Sequence, residues 1–93
     1  VSRFNVVLKG GELIITNKSS SPLKLLEVRV GYRTTAEDYT GRPTIRTVTE
    51  STSVGKELEG GGSIRISIRS NEVGTVTIIY NDGTRTLRED LEP

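Results

Sequence analysis

The sequence predicts an all-β domain, an immunoglobulin-like antiparallel β-sandwich of about seven strands, from three observations. In Ser63-Ile64-Arg65-Ile66-Ser67-Ile68-Arg69, Ile alternates strictly with polar residues, which places three branched side chains on one face of a half-buried strand. Turn-forming Gly, Asn and Pro residues recur between apolar runs at the roughly 8–12-residue spacing of sandwich folds. No window carries an amphipathic helical period. Cys and Trp are absent, so the disulfide and buried indole of antibody domains cannot form, and the prediction concerns architecture alone.

In chain order, Phe4, Val6 and Leu8 alternate, Lys9-Gly10-Gly11 turns the chain, and Glu12 to Asn17 returns as a second strand. Lys18-Ser19-Ser20-Ser21-Pro22 reads as a polar loop. Leu23 to Tyr32 gives the longest strand, with Leu26, Val28, Val30 and Tyr32 expected to face inward, and its β-branched residues favour strand over helix. Residues 33–49 resist any clean period and read as a long connection, the kind of segment that often carries function. Ile45, Val48 and Val54 fit one or two short strands, and Gly60-Gly61-Gly62 a flexible turn. After the Ile strand, Ser70-Asn71-Glu72 with Gly74 has the length of a hairpin loop to the alternating Val76, Ile78 and Tyr80. Asn81-Asp82-Gly83 then turns into Thr84 to Arg88, so three consecutive antiparallel neighbours are expected at the C-terminal end.

Composition narrows function mainly by exclusion. The 93 residues carry 13 basic and 12 acidic side chains, a net charge of +1, which is far from the balance that drives phosphate-backbone binding. Without Cys or His there is no thiolate nucleophile, zinc-thiolate site or imidazole base. A Ser-Lys pair would still be formally available, but Ser19, Ser20, Ser21 and Ser63 stand in turn contexts where hydroxyls bond nearby backbone. Glu37-Asp38 and Glu89-Asp90 with Glu92 match no calcium loop and read as a solvated loop and an acidic tail. Gly10-Gly11 and Gly60-Gly61-Gly62 lack the helix, Lys and hydroxyl of a phosphate-binding loop. The expectation is therefore no enzyme, no cofactor and no metal. No apolar run is long enough to span a membrane.

Several residues remain as binding candidates. Arg65 and Arg69 share the polar face of the Ile strand, and with Arg85 they could form a guanidinium patch. Tyr39 and Arg42 stand in the irregular segment near Tyr32 and Arg33, and Tyr and Arg are residues that anchor protein interfaces. Tyr32 itself fits the core. Val7 and Ile79 fall on the polar phase of alternating strands, which would make both faces apolar there; shielding by Arg stems is the alternative. Asn17-Lys18-Ser19 is a sequon, making Asn17 a candidate glycosylation site if the domain is exported.

The run Gly11-Glu12-Leu13-Ile14-Ile15-Thr16-Asn17-Lys18-Ser19-Ser20-Ser21-Pro22-Leu23-Lys24-Leu25 joins a strand ending in Thr-Asn to a small polar turn with Pro and a second apolar strand. It resembles the extracytoplasmic β-sandwich domains of archaeal type IV pilin-like and archaellum accessory (stator) proteins. In that group an N-terminal hydrophobic helix anchors the domain outside the membrane, where it packs with its own copies, filament subunits or the surface layer. This sequence departs from the pattern in having neither that helix nor its processing site, and no functional residue is carried over. The resemblance implies a structural or adhesive module of a cell-surface appendage, archaellum or pilus. Its partner would be protein (self, filament subunit or surface-layer protein), with no nucleic acid, and with membrane contact only through an anchor missing from a chain that opens at Val1. Residues 1–93 would then be one domain of a longer membrane-anchored protein. The alternative is a small viral or intracellular β-domain binding nucleic acid or another protein.

Overall fold

The computed structural model describes residues 2–37, 39–69 and 72–93. Seven strands run in the order β1 (Phe4–Lys9), β2 (Glu12–Asn17), β3 (Leu23–Glu37), β4 (Pro43–Leu58), β5 (Ser63–Ser67), β6 (Val73–Asn81) and β7 (Thr86–Leu91). They form an antiparallel β-sandwich: a three-stranded sheet ordered β1-β2-β5 packs on a four-stranded sheet ordered β4-β3-β6-β7. The constant-type immunoglobulin plan places its fourth strand in the sheet of the first two strands, whereas here β4 stays beside β3.

Local chemistry accounts for the hairpins. Gly10 and Gly11 both hold positive φ (58° and 77°) in the two-residue loop between Lys9 and Glu12, the conformation that a tight hairpin matching strand twist requires. At the β6–β7 turn, Asp82 Oδ1 accepts from the backbone N–H of Thr84 (2.9 Å) and of Arg85 (3.0 Å), and Gly83 takes φ 100°.

Alternation then builds the core. Phe4, Leu13, Ile15 and Ile64 from the smaller sheet meet Leu23, Leu25, Val28, Val30, Tyr32, Leu58, Val76, Ile78 and Tyr80 from the larger one. Phe4 and Tyr80 pack edge to face across the sheets, centroids 4.9 Å apart.

Three expectations need correction. Leu25, not Leu26, is fully buried: Leu26 is skipped in the register of β3 with both neighbours, a bulge that reverses the in–out phase before Val28 resumes it. Gly55 (φ 59°) lies in the matching interval of β4, between Ser53 and Lys56. Second, β5 does not form a hairpin with β6; it pairs with β2, and the chain crosses to the other sheet before β6 joins β3. Ser70 and Asn71 of that connection lie outside the described residues. Third, much of 33–49 is not irregular: β3 runs on to Glu37 and β4 begins at Pro43, paired from Glu37↔Pro43 inward.

The two ends of this ribbon differ. From Arg33 onward β3 has no strand partner except β4 among the described residues, since its pairing with β6 ends at Tyr32↔Val73. A two-stranded arm of about 17 Å, five residues at strand rise, thus projects beyond both sheets and accounts for the elongated 52 × 27 × 23 Å shape.

At the opposite end, Asn17 ties the corner together. Its amide nitrogen donates to the carbonyls of Ser21 and Leu58 (both 2.9 Å), and its Oδ1 accepts from the Ser19 N–H (3.0 Å) and hydroxyl (2.7 Å). Its backbone N–H donates to Gly62, and its carbonyl accepts from Gly61. Asn17 has no exposed surface. In the folded domain, the nitrogen that would carry a glycan in the sequon is buried and already donates both hydrogens. Replacing Asn17 with Ala should lower stability by about 2–4 kcal/mol, because the buried carbonyl of Leu58 and its neighbours lose their partner. Urea denaturation checks this, with an unchanged m-value showing that the native fold persists.

Candidate protein-interaction site

The two long sides of the sandwich are closed differently. On the side where β1 and β7 form the edges, Glu89 works as a clasp: Oε1 accepts from the Ser2 hydroxyl (2.6 Å), both carboxylate oxygens lie 3.3 Å from the Arg3 N–H, and Oε2 accepts from the Tyr80 hydroxyl (2.8 Å). Arg3 adds an ion pair with Asp82 (3.6 Å) and lies over the Tyr80 ring. Burial and the Glu89 carboxylate push the Tyr80 hydroxyl pKa above its ordinary value.

On the opposite side, the edges β4 and β5 stand apart. Between them lies an open groove of about 500 Å³ lined by Thr52, Val54 and Lys56 of β4 and by Ile64, Arg65 and Ile66 of β5. An ion pair between Arg69 and Glu50 spans the two strands beyond this stretch, while Leu58 enters the core at the Asn17 corner. Further out along β4, the inward-phase residues Arg46, Val48 and Thr52 are exposed.

The arm and its base carry most of the large hydrophobic side chains that are exposed. Of the four large hydrophobic side chains exposed among the described residues, three belong to it or its base: Tyr39 (101% exposed), Ile45 (76%) and Val48 (42%). Tyr39 and Arg42 sit in the turn joining its strands; Asp38, in the same turn, lies outside the described residues. Thr44 Oγ1 donates to the Ala36 carbonyl (3.0 Å) and Thr34 Oγ1 to the Arg46 carbonyl (3.3 Å), stitching the arm from within.

The remaining candidates lie elsewhere. Val7 (44% exposed) stands on β1, on the outer face of the smaller sheet beside Ile14. Ile79 is half-buried on the outer face of the larger sheet, in register with Glu27 and Arg88. Val7 and Ile79 thus face opposite ways and share no surface with Tyr39. The guanidinium patch does not form: Arg65 lies against Glu12 (4.0 Å), Arg69 pairs with Glu50, and Arg85 is in the β6–β7 turn of the other sheet. Tyr32 is core, and its hydroxyl accepts from the Arg69 N–H (3.2 Å). Among the described residues no group of three or more His, Cys, Asp or Glu side chains is arranged to hold a metal.

Sequence reasoning missed the β4 edge itself. The sequence placed Ile45, Val48 and Val54 on strand, which β4 contains, but residues 44–52 carry polar side chains on both faces and give no alternation to mark one long edge. Scans against family models, curated proteins and solved structures find no match to the chain.

Hydrogen-bond donors favour the ionised form of two carboxylates. The Thr84 and Arg85 donors hold the Asp82 carboxyl well below the usual carboxylate range, and the Thr77 hydroxyl (2.5 Å) and Arg88 lower that of Asp90. A folded pKa below the unfolded value of about 3.9 contributes stability that is fully present above that pH and is lost as pH falls toward the folded value. The urea midpoint should therefore fall as pH drops below about 4, and Asp82→Asn should flatten that fall while leaving the seven-stranded fold intact by circular dichroism.

Proposed function

We propose that this domain is a non-catalytic protein-binding module, a structural or adhesive part of an archaeal cell-surface appendage that associates with its own copies or with neighbouring surface subunits. The carrying observation is the arm: it presents Tyr39, Ile45 and Val48 to solvent while adding almost nothing to the core. An isolated two-stranded ribbon is marginal in water, and this one exposes an apolar side chain on each face, Ile45 on one and Val48 on the other, with Tyr39 at its turn. The appendage assignment, with its extracytoplasmic location and membrane anchor in a longer protein, rests on the resemblance of residues 11–25 to archaellum accessory and pilin-like domains. In this fold that stretch is β2, the Asn17 corner and the start of β3, so the resemblance speaks for a shared scaffold, while the arm supplies the reading of what the scaffold presents.

Sedimentation velocity across a micromolar concentration series tests the reading. Association that rises with concentration and weakens about fivefold or more on Tyr39→Ala or Ile45→Asp is expected, the loss typical of an aromatic or aliphatic anchor. Val7→Asp and Ile79→Asp are the comparison, since each charges a different outer face; a loss confined to one of them would move the interface to that sheet. A monomer at every concentration would remove self-association as the function.

A further inference from the structure

Resting on that reading, we infer that β4 is a self-pairing edge: two copies join β4 to β4 antiparallel about a two-fold axis at Val48, merging their four-stranded sheets into one of eight. β4 is 16 residues long, stands at the edge of its sheet, and has no strand on its outer side among the described residues. Such an edge offers a row of backbone donors and acceptors to another chain. A strand pairing with an identical copy of itself must be self-complementary, residue i meeting j and j meeting i.

The sequence of β4 meets that condition in one register. With Val48 opposite Val48, Arg46 of each copy faces Glu50 of the other, Thr44 faces Thr52, and on the second face Thr47 meets Thr49. On the face of Val48 every opposed pair belongs to a favourable class, two opposite-charge pairs, Thr–Thr pairs and one aliphatic pair at the centre, while on the second face Ile45 of each copy meets Ser51. Moving the axis by one residue to Thr47 or Thr49 leaves Arg46 and Glu50 opposite Val or Thr. An axis at Arg46 or Glu50 sets like charges face to face, which is destabilising.

The surrounding structure leaves the strip accessible. Arg46 and Val48 are exposed, because the smaller sheet ends at β5 and does not reach beneath this part of β4. Arg69 approaches Glu50 from within its own chain and would share the carboxylate with the second copy's Arg46. The register also sets Pro43 opposite Ser53, so the turn carrying Tyr39 and Arg42 comes beside the second copy's β4–β5 groove at Val54. Arm and groove would then be two halves of one contact.

The absence of native Cys allows a direct test. Residues directly opposite in an antiparallel pair have Cα atoms about 4.5–5.5 Å apart, within disulfide range. Under mild oxidation Val48→Cys should form a covalent dimer about tenfold or more faster than Arg46→Cys, whose two copies would sit four residues out of register. By sedimentation, Arg46→Glu should weaken association about tenfold or more, and Arg46→Glu with Glu50→Arg should recover most of it. Urea melts of each variant confirm folding. If the native chain associates but Val48→Cys crosslinks no faster than Arg46→Cys, this pairing is overturned while the protein-binding reading stands. A native chain that stays monomeric overturns the pairing and removes self-association, leaving a neighbouring subunit as the partner of the protein-binding reading.

Discussion

The fold hangs on one side-chain amide. A β-sandwich must hold the end of one sheet against the start of the other at a corner where the strand ladder gives out, and Asn17 meets that demand by bonding two loop residues and the last residue of β4 at once. Both of its donors and its acceptor oxygen are used in a position with no exposed surface, so the group costs nothing in unmet hydrogen bonds and fixes the angle between β2 and β3. The Gly61 and Gly62 bonds to its backbone set the return of the chain from β4 into β5. With that corner fixed, Leu23 and Leu58 fall into the same core as Leu13 and Ile15.

From the corner the two sheets close unequally. Along β1 and β7 the Glu89 clasp and the Phe4–Tyr80 pair join the sheets by direct contact. Along β4 and β5 the smaller sheet runs out of strands, and one ion pair spans what remains. Three strands against four leave a strip of backbone and side chains that no strand among the described residues covers. That mismatch, more than any single residue, is what the proposed pairing with a second chain would use.

The legibility of the chain in its sequence follows the range of the interactions. Hairpins β1–β2 and β6–β7 are written in adjacent residues, Gly10-Gly11 and Asn81-Asp82-Gly83, and were readable for that reason. The partner of β5 was not, because Ile64 faces the core equally well whether its strand lies beside β2 or β6, and nothing local distinguishes the two. Leu25 and Leu26 were exchanged because a bulge shifts phase without a residue of its own to announce it. The arm looked irregular since neither of its faces is buried, and alternation is visible only where one face is apolar. Tyr39 was readable as a chemical type, whereas its place on a projecting ribbon needed the β3–β4 register. Asn17 read as a surface sequon, since the same amide that accepts a glycan also suits a buried corner.

Because the arm contributes so little to the core, its sequence is nearly uncoupled from the thermodynamics of folding. Substitutions at its tip and outer positions would draw little on the margin that keeps the domain folded. On the proposed reading, a lineage carrying this scaffold would be free to change partners, or to escape one, by substitution at a handful of exposed positions, while the Asn17 corner and the strands around it hold the fold.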